Sequence, residues 1–299
     1  MSGSDANRHV IACCRAARYA GFMRTSLILA FFLVACTKPG AEPLDTDVPI
    51  VDTGDWATPT AAATWQWQLL DPVNTDYDVD VYDIDLFDVP DSTIETLHAA
   101  DRLVVCYFSA GSIEDWRDDA GDFPEEAIGR KLDGWEGERW LDVRHPEVLE
   151  IMEARLDHAK GRGCDLVEPD NVDGSDNNTG FDLSRDDSVA YLKLLANAAH
   201  ERGLGIAKKN GAETTTGLEP WFDAAVVEEC AAFTECDAWD VFVAADKPVW
   251  QAEYPDPDTL AAAEELASEV CADAVAGNRR ALILPLDLDD RFRVDCDEQ

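Results

Sequence analysis

The sequence predicts an α/β chain with a single (β/α)8 TIM barrel over residues 64–299, preceded by a signal peptide (1–36) and a flexible linker (37–63). Three observations carry that reading. Eight short apolar or β-rich runs follow Thr64, helical patterns separate most of them, and the span is close to the ~250 residues usual for the fold. A doubly wound open sheet is the competing architecture, but no Gly-x-Gly-x-x-Gly or phosphate-binding loop follows any run. The expected strands are 65–69, 79–86, 103–108, 164–167, 204–207, 224–227, 249–252 and 281–284. The clearest helices are 92–100, 146–161, 185–202 and 258–276. The second has a proline at its start, a glycine at its end, and Val148, Ile151, Met152, Arg155 and Leu156 near helical spacing. Ser184 is a good N-cap for the third, with Asp186 and Asp187 in its first turn and Gly203 beyond it. No internal repeat or second domain is visible.

The first thirty-six residues read as an export signal. Arg15, Arg18 and Arg24 precede the apolar run 27–35, which ends in Leu33-Val-Ala-Cys36. That run falls far short of the ~20 residues that span a bilayer. Leu-Val-Ala-Cys fits the bacterial lipobox, so Cys36 is the expected site of a lipid that holds the protein at a membrane. An ordinary signal peptide with an incidental cysteine, giving a secreted protein, is the alternative. Met23 offers a second possible start. Residues 37–63 are rich in Pro, Thr, Asp and Ala, with little apolar periodicity, and read as a tether.

Beyond Cys36 six cysteines remain: Cys106, Cys164, Cys230, Cys236, Cys271 and Cys296. An even count in an exported chain suggests disulfides, although six cysteines allow fifteen pairings. Cys230 and Cys236 are near enough to close a local loop. Cys106 and Cys164 lie in neighbouring expected strands, and Cys271 with Cys296 would pin the tail; two buried free thiols are the alternative for Cys106 and Cys164. No Cys-x-x-Cys or His-rich spacing points to zinc. The acidic stretches 76–85 and 170–178 lack calcium-loop spacing, so no metal or other cofactor is expected.

The net charge is −38, from 24 Lys and Arg against 62 Asp and Glu. Removing residues 1–36 takes away four arginines and one aspartate and leaves −41. Such a surface repels nucleic acid and anionic headgroups and attracts cations, including a cationic polymer. Solubility alone also accounts for an acidic surface.

Two acidic segments, Glu168-Pro-Asp-Asn-Val-Asp173 and Val226-Val-Glu-Glu-Cys230, close the fourth and sixth expected strands. A parallel barrel does its chemistry at the C-terminal ends of its strands. Two carboxylates delivered there are what glycosidic cleavage needs, one to protonate the leaving oxygen and one to meet the developing cation. Around them, Asp85 and Asp173 are candidates to bind a sugar hydroxyl or an ammonium group, with an Asp-Gly turn as the plainer account of Asp173. Glu168 either shares the barrel mouth or pairs with a lysine. Lys209-Asn210 follows the fifth strand, where the lysine would hold carboxylates ionised. Glu253 ends the seventh strand and is expected to line the site. Tyr107 and Trp67 are candidate sugar-stacking residues, although aromatics at strand positions are more often core. Trp135 and Trp140 sit in a Gly-rich loop that would roof the cleft.

Several segments occur in a fixed order along the chain. They are Trp65-Gln-Trp-Gln-Leu69, Asp83-Ile-Asp-Leu-Phe87, Cys106-Tyr-Phe-Ser-Ala-Gly-Ser112 and Trp135-Glu-Gly-Glu-Arg-Trp-Leu-Asp142. Then come Gly163-Cys-Asp-Leu-Val-Glu-Pro-Asp-Asn-Val-Asp173, Lys209-Asn210, Glu228-Glu-Cys230 and Glu253-Tyr254. Together they resemble glycoside hydrolase family 114, the endo-α-1,4-polygalactosaminidases, from about Thr64 to Cys296. The resemblance implies a (β/α)8 enzyme that cuts a cationic, galactosamine-containing polysaccharide internally, and a monomer is expected. It also implies that Asp170 matches the family's catalytic aspartate and Glu228 its second carboxylate. On that basis Asp170 is expected as nucleophile and Glu228 as general acid/base of a retaining reaction. The chain departs from the family in having Val227 and Glu229 where Asn and Gln flank that glutamate. Glu229, next along the strand, is expected to face away from whatever Glu228 faces. A polysaccharide-binding lipoprotein on a barrel that has lost catalysis is the rival reading.

Overall fold

The computed structural model describes residues 43–51, 54–70 and 72–299. The leader, Cys36 and the first part of the tether lie outside them. Among the described residues no helix is long and apolar enough to cross a membrane.

The strands are β1 (Trp65–Gln68), β2 (Val81–Asp85) and β3 (Leu103–Ser109), then a separate trio of β4 (Ser112–Glu114), β5 (Ile128–Lys131) and β6 (Glu138–Leu141). After these come β7 (Leu166–Asp170), β8 (Gly205–Lys209), β9 (Ala224–Glu228), β10 (Val249–Glu253), β11 (Arg280–Ile283) and β12 (Val294–Asp295). The main sheet runs β1-β2-β3-β7-β8-β9-β10-β11-β12. Its first eight strands are parallel and form the barrel, and β12 pairs antiparallel with β11. Side chains help close the ring between β11 and β1: Trp65 Nε1 donates to Arg280 O at 2.8 Å, and Arg293 donates to Trp65 O at 3.2 Å.

Alternation along each strand sorts its side chains into two cores. Trp65, Trp67, Val105, Leu166, Ala207, Val226, Trp250 and Leu282 fill the barrel. The Trp65 ring lies 5.7 Å from that of Trp67 and 5.8 Å from that of Trp250. The opposite set, including Ile84, Phe108, Val167, Ile206 and Val227, packs outward with residues of the helices.

The helices are α1 (Asp91–Ala99), α2 (Pro146–Arg162), α3 (Arg185–Glu201), α4 (Thr215–Leu218), α5 (Cys230–Phe233), α6 (Asp240–Ala244) and α7 (Leu260–Ala276). Proline occupies the first turn of α2, and Gly163 ends it in the left-handed conformation (φ 92°). Ser184 and Asp187 form a reciprocal capping box at the start of α3.

Three differences from the sequence expectation matter. The fourth barrel strand begins at Leu166 instead of Cys164 and runs on to Asp170; just before it the Asp165 carboxylate accepts from Val104 N at 2.9 Å. The antiparallel trio β4-β6-β5 was not foreseen, since its short strands are rich in charge and glycine and lack a clean period of two. The tether is, from residue 43 onward, seated on the barrel. Leu44 N donates to Asp187 and Val51 N to Asn197, while Asn197 and Lys193 donate back to Pro49 O and Thr46 O. Trp56 then stacks on His200 at 3.8 Å and donates to Asp223 at 2.8 Å. Low hydrophobicity hid this docking, because it is made mostly of backbone hydrogen bonds.

Three disulfides form: Cys106–Cys164, Cys230–Cys236 and Cys271–Cys296. They tie β3 to the entry of β7, close a loop after β9, and fasten α7 to the C-terminal tail. Bonds of this kind persist in oxidising compartments, consistent with export.

Candidate active site

The strands deliver their last inward residues to one cleft of about 910 Å3 at the C-terminal face of the barrel. At its floor the ammonium group of Lys209, from the end of β8, lies 3.1 Å from Asp170 Oδ1, 3.1 Å from Glu228 Oε2 and 3.2 Å from Glu168 Oε1. It also sits over the Trp67 ring, 4.8 Å from the centroid. Burial alone would strip this lysine of its proton, but Asp170, Glu228 and Glu168 reverse that and hold its pKa well above the ordinary range. Since the nearer oxygens of Asp170 and Glu228 both touch Nζ, they can be no farther apart than twice the 3.1 Å contact.

Each of these two carboxylates has further donors. Tyr107 OH donates to Asp170 Oδ2 at 3.1 Å and Asn171 N to Asp170 Oδ1 at 2.7 Å. Tyr254 OH donates to Glu228 Oε1 at 2.6 Å and Asn210 Nδ2 to Glu228 Oε2 at 2.9 Å. Burial would raise the Glu228 carboxyl, but Lys209, Tyr254 and Asn210 outweigh it and hold the pKa below the ordinary value. Tyr254→Phe therefore raises the Glu228 pKa and lowers kcat/KM by about tenfold, the cost of one hydrogen bond to a charged group. A pH–rate profile of the variant reads both effects.

Three of the strands end in a left-handed residue: Asn171 after Asp170 (φ 59°), Asn210 after Lys209 (φ 40°) and Glu229 after Glu228 (φ 54°). Asparagine adopts this conformation readily; glutamate does so at a cost of order 1 kcal/mol. The turns swing the chain across the mouth just behind each functional side chain. Gly111 allows one of them, because a Cβ there would meet Asn171 O at 1.8 Å. Lys208 Nζ supports another by donating to the carbonyls of Asn210 and Gly211.

A lysine-bridged carboxylate pair at the mouth of a parallel barrel is a glycosidase arrangement, and the model of glycoside hydrolase family GH114 matches residues 46–299. The chain belongs to that family. The GH114 barrel is similar to the crystal structure of Aspergillus fumigatus Ega3 in complex with galactosamine. Identity is 39% and the TM-score 0.76, over 81% of this chain and 100% of that one. The glycoside hydrolase domain of PelA from Pseudomonas aeruginosa shares the fold at 14% identity and a TM-score of 0.58, over 77% of this chain and 96% of that domain. No curated protein matches the chain in sequence.

Within this GH114 cleft, Trp67, Asp85, Tyr107, Asp170, Asp173, Lys209, Asn210 and Glu228 all contribute to the lining. Asp85 does so while paired with the Arg117 guanidinium at 2.6 Å, which it shares with Asp88 and Glu114. Glu168 is wholly buried on the inner side of Lys209. Glu253 is the misplaced candidate. Its side chain points to the outer face of β10, where Oε1 accepts from Ala231 N and Gln251 Nε2, each within 2.9 Å. Strand alternation gives the inward place to the next residue, Tyr254. Glu229 departs from expectation in the other direction: the strand has ended, and its left-handed backbone turns it into the cleft lining. Burial and the Glu228 charge raise its pKa.

Val227 faces the outer core, so no amide is lost from the site there. Asn210 supplies one instead, accepting from Glu228 N at 2.9 Å while donating to the carboxylate. Tyr254 and Glu138 were not singled out from the sequence. Glu138 lines the cleft from β6, accepts from Ser112 Oγ at 2.6 Å, and is pushed up to about 7 by burial. Tyr254 could have been found by counting alternate positions back from the end of its strand. Glu138 could not, because it depends on the small sheet. Trp135 lines the cleft and is 51% exposed, whereas Trp140 is buried beneath the sheet.

Proposed function

We propose that the protein is an endo-acting hydrolase of galactosamine-containing polysaccharide, with Asp170 as nucleophile and Glu228 as general acid/base. The observation that carries this reading is the pair of carboxylates bound to one buried lysine. Retaining glycosidases keep their carboxyls ~5–5.5 Å apart and inverting ones ~6.5–9.5 Å. The shared Lys209 contact draws the two carboxyls together, which suits the shorter spacing. In the first step Asp170 attacks the anomeric carbon while Glu228 gives its proton to the leaving oxygen. In the second, Glu228 takes a proton from water as that water displaces Asp170.

Ega3 binds galactosamine, and Asp173, Asp176, Glu213, Glu229 and Glu235 line this cleft, which suits an ammonium-bearing sugar chain. The test is release of reducing ends from a de-N-acetylated galactosamine polymer, with the anomer of the first product followed by NMR. Exclusive formation of the inverted anomer would overturn the retaining assignment. Because both partners are highly charged, kcat/KM falls about tenfold between low salt and 0.5 M salt while kcat changes little; initial rates across a salt series check this.

One observation favours a second reading of the roles. Lys209, Tyr254 and Asn210 outweigh burial and hold the Glu228 carboxyl below its ordinary pKa, which suits a nucleophile, and Asp170 would then be the acid/base. We also propose that Cys36 carries a lipid holding the enzyme at the cell envelope; labelling with a fatty-acid analogue, abolished by Cys36→Ser, tests that.

A further inference from the structure

Beneath Lys209 lies an acid that the reaction scheme does not use. Asp83, the central residue of β2, has no exposed surface, and neither of its carboxyl oxygens has a donor among the described residues. Glu168, equally buried and likewise without a hydrogen-bond partner for either oxygen among the described residues, is an inward acid of β7, and the register through β3 sets it one inward position farther along the barrel. Two carboxyls can share a hydrogen bond only if one keeps its proton.

The surrounding groups say where that proton resides. Lys209 contributes one positive charge facing four carboxyls: Asp83 of β2, Glu168 and Asp170 of β7, and Glu228 of β9. From the other packed strands come Tyr107 of β3, a neutral donor, and Trp67 of β1. Asp170 and Glu228 each accept two hydrogen bonds besides the lysine contact. Glu168 has the lysine contact alone. Asp83 has none of these. Four negative charges around one ammonium in a buried interior are untenable, and the retained proton goes to the group without donors.

We propose that Asp83 and Glu168 hold a single proton between them, making Asp83 a positioning residue that keeps Glu168 aimed at Lys209 and thereby keeps Lys209 between the two reacting carboxylates. Burial pushes Asp83 up to about 7 and Glu168 well above its ordinary value, and the titration belongs to the pair. Below that pH the pair carries one negative charge. Above it, the second charge draws Lys209 inward, away from Asp170 and Glu228, and activity declines.

The inference rests on Asp170 and Glu228 being the reacting pair, and the test is the pH dependence of kcat and KM on the polymer. Asp83→Asn keeps a donor toward Glu168 but cannot ionise. It is expected to retain kcat within about twofold at pH 6 and to lose the alkaline limb near pH 7 that wild type shows. Asp83→Leu, with no donor, is expected to lose kcat by about 100-fold, the scale of one misplaced electrostatic group. Should Asp83→Asn fail to fold, Glu168→Gln leaves Asp83 as the one ionisable member, so the pair can never carry the second negative charge, and the limb is likewise removed. The inference is overturned if the limb survives in the folded variants, or if Glu138→Gln, titrating in the same range across the cleft, removes it instead. A wild type that releases no ends sinks the hydrolase reading itself; a cleaving wild type with an unmoved limb sinks only the shared proton.

Discussion

Asp170→Asn lowers kcat on the polymer by at least about 10,000-fold, and Glu228→Gln does the same. Each removes a member of a pair that acts as a unit, and such losses are of this order or larger. A galactosaminide with a dinitrophenyl leaving group separates the two roles. That group leaves without a proton, so the variant lacking the acid/base still forms the glycosyl-enzyme and shows a burst, and added azide speeds its turnover. The variant lacking the nucleophile does neither. With the roles assigned as proposed, Glu228→Gln bursts and Asp170→Asn stays silent. The opposite outcome assigns the nucleophile to Glu228, as its lowered pKa would favour.

Lys209→Met is expected to cost about 100- to 1,000-fold in kcat and about 3–5 kcal/mol in stability. The stability loss follows because the substitution leaves Glu168, Asp170 and Glu228 as buried negative charges with no counter-ion. Without the ammonium the Glu228 carboxyl rises in pKa, so what activity remains moves to higher pH; kinetics across pH and urea denaturation measure the two effects. Lys209→Arg does not rescue, since a planar fork cannot meet three carboxylates that converge on one point. A variant with normal kinetics would show that the lysine is only a buried counter-ion.

The barrel was legible because buried parallel strands leave compact apolar runs, and because α2 and α3 carry their caps in the sequence. Asp170 and Glu228 were legible as acids closing such runs. Errors arose where the backbone left the regular pattern. Glu253 was expected in the site and Glu229 outside it, and both faults come from extending or ending the alternation one residue wrongly. Asp83 was hidden for another reason: an acid in the middle of a strand reads as a break in the apolar pattern, and only the folded barrel shows a second buried acid, Glu168, two strands away on β7. The seating of residues 43–51 and 54–57 was invisible for want of apolar periodicity.

That seating has a mechanical consequence. The segment meets α3 beside Asp187, in the first turn of the helix, and descends to Trp56 at the far end. In a barrel of this kind the first turn of each helix lies level with the rim where the strands finish. A pull transmitted through the upstream chain is therefore applied near the open end of the barrel, not at its base. Were Cys36 lipidated as proposed, the enzyme would graze the surface holding it with its working edge, reaching polymer that lies flat there as well as strands hanging free.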